Sequence, residues 1–204
     1  MCIRDRRWWA QAESRHELIG IISWLEDRIA EEDVSVILNH KVREADLEKF
    51  DEIIIAAGST GLKHGWTMLH PEKWNGNCLP GADSTHVFSY TELLEKQPKL
   101  GEQVLIFDIM GGRQGAVVAE ILARQGKVVQ FVTQLGQASP DLATSRDWGK
   151  VHGMLKNLGV NFHVDCELLS IDNDQVVMRD LYTGKNFTFK NISAVVMVQG
   201  GAAN

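Results

Sequence analysis

Cysteine is scarce and poorly placed for chemistry. The 204 residues hold three cysteines, Cys2, Cys78 and Cys166, with no C-x-x-C pair among them. That leaves neither a zinc or iron–sulfur cradle nor a redox disulfide pair. Positive charge is also in deficit. Lysine and arginine number 21 against 27 acidic residues, a net charge of −6, which is the wrong sign for a face that binds nucleic-acid phosphates. No apolar run approaches the roughly 20 residues that cross a bilayer. The opening Met-Cys-Ile-Arg-Asp-Arg-Arg-Trp-Trp carries charge without the apolar stretch of a signal peptide. The expectation is a reduced, cytoplasmic compartment, with neither nucleic acid nor membrane as partner. No G-x-S-x-G turn supports a Ser/His/Asp arrangement. His40, His64, His70, His86, His152 and His163 fall at no metal-ligand spacing and read as surface or packing residues.

What is present is a globular composition, 44% apolar and 24% charged, long enough for one large domain or two small ones. The most informative stretch runs from Gln103 to Thr133. It reads as an apolar strand (Val104 to Phe107), a glycine-bearing turn, an Ala/Leu-rich helix and a second apolar strand (Val128 to Val132). This is a βαβ unit of the nucleotide-binding kind, in which a helix N-terminus can face a phosphate. The turn departs from G-x-G-x-x-G. Gly112 and Gly115 fit its second and third glycines, but Met110 stands in the first position and the turn is long.

Met1 to Arg6 resembles the translated end of a sequencing adapter, so the natural chain is expected to begin further upstream, leaving Trp8-Trp9 an apolar patch without its cover. Ser14 to Glu17 reads as a capping box opening a helix whose apolar face is Leu18, Ile21, Ile22, Leu25 and Ile29. Val34 to Leu38 and Ile53 to Gly58 read as strands, the second a buried, continuous apolar run ending in small residues and suited to a parallel sheet covered on both faces. Ala45 to Phe50 is a brief helix. The loop from Ser59 to His86 is long enough to be functional or a crossing between domains, and Trp66 and Trp74 are expected to pin it by packing. A short helix spans Thr91 to Lys96. Ser145 is expected to cap a helix from Arg146 to Leu158, closed by Gly159. Short strands follow at 160–164, 167–171, 175–179 and 186–190, with a hairpin turn at 182–185. A buried strand, Ala194 to Val198, runs into Gln199-Gly200-Gly201.

Two apolar strands therefore close on small-residue turns, Ala56-Ala57-Gly58 and Gln199-Gly200-Gly201. With Val34 to Val42, Leu79-Pro80-Gly81-Ala82-Asp83, Phe88 to Leu94 and the turn from Phe107 to Gly115, their order resembles the C-terminal region of the trimethylamine dehydrogenase and 2,4-dienoyl-CoA reductase family. Ala57 and Gln199 stand where Thr is usual at the two crossings. The long turn is similar to the amine-dehydrogenase branch. The resemblance implies an α/β fold of two Rossmann-like nucleotide-binding domains with parallel sheets, the second inserted in the first, plus a small antiparallel β segment. Residues 1–100 would be part of an FAD/ADP-type domain, 101–192 the inserted NAD(P)-type domain, and 193–204 the return to the first. FMN and a 4Fe-4S cluster are implied only for an N-terminal catalytic barrel that would precede this chain, with an electron-transfer flavoprotein as a further partner.

The same resemblance puts Val42 beside the adenine and Ala56, Ala57 and Gly58 beside the dinucleotide, FAD or ADP. Small residues suit a close backbone approach; a plain strand end reads equally well from the residues. Gly111, Gly112, Arg113 and Gly115 are the candidates in the second domain, either for an anion at the helix start or for tight helix–strand packing alone. Counting about 20 positions on from Gly112 reaches Val132, Thr133 and Gln134, not the acid that holds a ribose hydroxyl or the Arg that accepts a 2′-phosphate. NAD(P)H is therefore doubtful. Asp108 is expected to accept amides of its own turn, and no catalytic residue is assigned. The leading reading is the nucleotide-binding, electron-handling region of a flavin-dependent oxidoreductase. The alternative is a non-catalytic ADP-binding or structural module that docks on a catalytic barrel, and a free-standing NAD(P)H reductase ranks last.

Overall fold

The computed structural model describes residues 3–75 and 78–204, with side chains described for 6–73 and 78–204. Trp74, whose packing was expected to pin the long loop, has its side chain outside that set. The chain divides into two compact units, Met1–Gly58 with Ala203–Asn204, and Ser59–Ala202.

Between residues 3 and 58 the regular structure of the first unit is helical, and long extended segments join the helices. α1 (Ile3–Trp9) packs against α2 (Leu18–Glu31), and α3 is the single turn Glu44–Leu47. Trp8 and Trp9 are buried, which corrects the expectation of an uncovered patch. Ser14 is not the cap of α2. A 3-10 turn, Glu13–Arg15, comes first, and Glu17 caps α2 through its backbone position while its carboxylate lies 3.7 Å from Arg15. Of the expected apolar face of α2, Ile22 alone is buried. Val34 to Leu38 and Ile53 to Ala57 are not strands: neither enters a ladder, and Ile54 and Ile55 are 93% and 83% exposed. Their composition matches a buried strand, yet among the described residues no strand ladder includes them, and a strand is defined by its partners.

The second unit is built on a five-stranded parallel sheet. β1 (Ser59–Gly61) lies apart from it, paired with β10 (Gly201–Ala203). The sheet order is β2-β9-β3-β4-β5, from β2 (Val87–Ser89), β3 (Gln103–Asp108), β4 (Val128–Val132), β5 (Asn161–His163) and β9 (Ala194–Val198). β9 is buried at every position because β2 and β3 flank it in parallel and both faces are covered. The helices are α4 (Tyr90–Lys96), α5 (Arg113–Arg124) and α6 (Trp148–Asn157). α4 carries a full capping box, with Ser89 Oγ accepting from Glu92 N and the Glu92 carboxylate accepting from Ser89 N. Glu92 is pulled down to about 2: burial works against the charge, and the Ser89 amide, Lys63 and Lys96 outweigh it.

An antiparallel meander, β6 (Cys166–Asp172), β7 (Gln175–Asp180) and β8 (Asn186–Phe189), covers one face of the parallel sheet. Leu168, Val176 and Met178 from the meander join Leu105, Phe107, Val195 and Met197 from the sheet in one core, with Leu79 and Ala82 from the long loop. The sequence therefore gives the α/β class, the parallel sheet and the antiparallel segment correctly. Ser145 is not the cap of α6. Arg146 takes a left-handed φ of 60° and Asp147 occupies the cap position. No described helix is long and apolar enough to cross a membrane.

Candidate functional site

β3 ends by delivering Asp108 into the interior beneath the start of α5. Asp108 Oδ1 accepts from Met110 N at 2.8 Å and Gly111 N at 3.2 Å, so the carboxyl organises its own turn, as the sequence implies. Its Oδ2 is buried with no hydrogen-bond partner among the described residues. Burial pushes the group from an ordinary 3.8 up to about 7, against the two amides and with help from the charge of Asp141. Gly115 is required by this geometry: a methyl group there would lie 2.4 Å from Asp108 Oδ2 and 3.0 Å from Phe131 Cζ. α5 thus sits directly on β3 and β4, the close packing that the third glycine of such a turn serves.

Gly111 (φ 68°), Gly112 (the helix cap) and Arg113 come together at the same helix start. The segment after β4 closes over them. Asp141 N donates to the Gly111 carbonyl at 3.1 Å, and Arg113 donates to Ser145 Oγ at 2.6 Å and to the Asp147 carboxylate. The guanidinium offered by the sequence as an anion ligand is engaged within the unit.

The remaining candidates lie in the first unit. Val42 is exposed, and Ala56, Ala57 and Gly58 form an exposed extended segment. The Ala57 and Gly58 carbonyls accept from the side chain and backbone of Asn204, at 3.0 and 3.2 Å. Gly58 turns the chain at φ 76°. These uncharged residues fit a ligand approached through backbone groups; they supply no charge of their own to a phosphate.

Two arrangements escaped the sequence reading. His70 Nε2 and Arg179 both engage the Glu167 carboxylate, with Arg179 Nε at 2.9 Å, while His70 Nδ1 faces Glu72 at 2.9 Å. Burial raises Glu167, and the Arg179 and His70 contacts more than offset it, leaving the group below the ordinary range. These residues are separated by 97 and 12 positions, so no local pattern announces them. The second is Gln199, whose Oε1 accepts from Gly65 N at 3.0 Å and whose Nε2 donates to the Trp66 carbonyl at 2.9 Å. Its amide clasps the long loop where the family resemblance has Thr. Among the described residues, no group of three or more His, Cys, Asp or Glu side chains could hold a metal ion.

Sheet, turn and meander together define a Rossmann-like unit that carries an antiparallel insertion. A scan of family models and a search of curated proteins return no match. Solved structures do match. Histamine dehydrogenase from Rhizobium sp. 4-9 superposes with a TM-score of 0.84 and 21% identity, over 96% of this chain and 30% of that one. The 6-hydroxypseudooxynicotine amine oxidase of Pseudomonas geniculata N1 gives 0.83 and 24%, over 96% and 29%. 2-Naphthoyl-CoA reductase gives 0.82 and 19%, over 96% and 27%. All three belong to the trimethylamine dehydrogenase and old yellow enzyme family, the family that the sequence motifs resemble. The shared property at this level of identity is the fold, and the chain spans under a third of each of these proteins.

Proposed function

We propose that this chain is the cofactor-domain region of a larger flavin-dependent oxidoreductase, nearer the amine dehydrogenases than the enoate reductases. The observation that carries the reading is the match over 96% of the chain to three redox enzymes of which it spans under a third. In this reading residues 1–100 and 193–204 belong to an FAD/ADP-type domain and 101–192 to an inserted NAD(P)-type domain. Val42 and Ala56 to Gly58 would hold FAD or ADP through close backbone approach, and such a group would supply an adenine nucleotide anchor or a flavin for electron transfer. The exposed Ile37, Leu38, Ile54 and Ile55 support the reading, because apolar surface of that extent is ordinarily covered. FMN, a 4Fe-4S cluster and the substrate would belong to a preceding catalytic barrel, with an electron-transfer flavoprotein receiving the electrons.

The alternative, a non-catalytic ADP-binding or structural module docked on that barrel, is favoured by one observation: Arg113 and the start of α5 are occupied by groups of the same unit. Absorbance of the purified chain, with titrations of ADP and FAD, separates the readings. The cofactor-domain reading expects ADP or FAD binding lost on Gly58→Val, with no flavin reduction by an amine in the isolated chain. The alternative expects ADP binding without FAD from an ADP-binding module, and no binding of either from a purely structural one. Reading the gene upstream of Met1 tests the parent: a barrel with a cysteine cluster is expected, and an unrelated upstream frame would overturn both readings.

A further inference from the structure

The fold of the second unit implies a nicotinamide dinucleotide at the start of α5, and the residues present there do not fit one. We propose that the chain fills this cradle with its own segment 134–147, with the Asp147 carboxylate on Arg113 at the place of an incoming phosphate.

Four observations meet at this turn. A methyl group added at Gly111 would lie 2.8 Å from Leu135 Cδ1 and 3.1 Å from the Pro140 ring, so the segment already packs against the glycine that would otherwise face a ligand. Asp141 N is bonded to the Gly111 carbonyl, pinning the segment from the backbone side. At Gly112 the approach is taken by the Gln114 side chain, whose Oε1 lies 2.5 Å from where a Cβ would stand, with Asp141 Oδ2 at 3.9 Å. Arg113 spends its guanidinium on Ser145 and Asp147.

The electrostatics point the same way. A helix N-terminus attracts one anion, and here acidic side chains of the protein already stand around it: Asp141 and Asp147 on the covering segment, with the Asp108 carboxyl beneath, its Oδ2 unpartnered among the described residues. A pyrophosphate would have to displace the Arg113–Asp147 ion pair and lie beside the Asp141 carboxylate. The local backbone is set for closure. Ser139 adopts a left-handed φ of 48°, and Pro140 starts the 3-10 turn Pro140–Ala143 that carries Asp141 to Gly111. At the end of β4, Gln134 stands in place of the acid or arginine that would hold the ribose, and its Oε1 is buried without a partner among the described residues.

The inference goes beyond the flavin or ADP reading, which concerns a different segment. Its test uses NADH and inorganic pyrophosphate, so that the two succeed or fail separately. Equilibrium dialysis of the full chain is expected to show no saturable NADH or pyrophosphate binding. Asp147→Asn, which removes the negative charge held on Arg113, is expected to raise pyrophosphate affinity at least about tenfold, a gain abolished by adding Arg113→Ala. Saturable NADH binding by the unsubstituted chain, weakened by Arg113→Ala, would overturn the proposal. So would a folded Asp147→Asn chain with no gain. A readout on the unsubstituted chain is independent of any variant's folding. The Asp141 amide is expected to exchange slowly with solvent in the absence of ligand, and exchange at the unprotected rate would show that the segment does not close the cradle.

Discussion

Ile53–Ala57 and Ala194–Val198 are both five-residue apolar runs that lead into a glycine turn, and they meet opposite fates. The second is β9, hydrogen-bonded on both edges and buried throughout. The first is extended, outside any ladder, and largely exposed. Composition states what a segment would bury; its neighbours decide whether it does. The same contrast separates two interior carboxyls. Glu167 meets Arg179 and His70 and is held below its ordinary range, whereas Asp108 leaves one oxygen unpartnered among the described residues and is pushed up to about 7.

The sharpest way to break the comparison is to put a charge into each run. Val196→Asp would bury an unpaired carboxylate between β2 and β3, and is expected to cost about 4 kcal/mol or more, enough to unfold the second unit in a chemical denaturation experiment. Ile54→Asp is expected to change stability by no more than about 0.5 kcal/mol and to raise solubility. Equal losses from the two would erase the distinction.

Next in size is the pH response of Asp108. Its folded pKa is raised, so the folded state binds the proton more tightly than the unfolded chain. Stability should be greatest below pH 4 on account of this group and should fall as pH rises toward and through 7, by on the order of a few kcal/mol. Asp108→Asn keeps an oxygen for the Met110 and Gly111 amides and should flatten that decline in urea melts at pH 5 and 8. An unchanged slope would mean that the carboxyl is hydrated or partnered in solution.

Glu167 should respond with the opposite sign. Its folded pKa is lowered, so its contribution is present above about pH 4.5 and is lost as pH falls through the folded value. Glu167→Gln is expected to cost about 1–3 kcal/mol at pH 7 and less at pH 3. Gln199→Leu, the smallest of the set, would remove the Gln199 bonds to Gly65 N and to the Trp66 carbonyl, and is expected to cost about 1–2 kcal/mol. Its mark should be faster proteolysis within the 62–86 loop and little change in β9.

Much of the second unit was legible because its signals are local. The switch from strand to helix to strand between Gln103 and Thr133 follows from apolar periodicity and the glycines, and the meander from short alternating runs with a turn at 182–185. What was not legible depends on distant groups. The segment that covers Gly111 reads as an ordinary polar loop; only the run Ser139-Pro140-Asp141 and the uncharged Gln134 hint at closure rather than binding. Ser145 has the chemistry of a helix cap, but it donates to the Leu142 carbonyl and receives Arg113 instead. In the first unit the apolar runs read as buried strands, yet they are neither paired nor buried, because composition does not report whether a partner exists.

Amide hydrogen exchange on the purified chain tests the central contrast most directly. The amides of Val195 to Val198 should be protected to near the global unfolding limit, while those of Ile53 to Ala57 exchange within a small factor of the unprotected rate. Strong protection at Ile53 to Ala57 in the isolated chain would contradict the account, since it would mean that this run already has a partner.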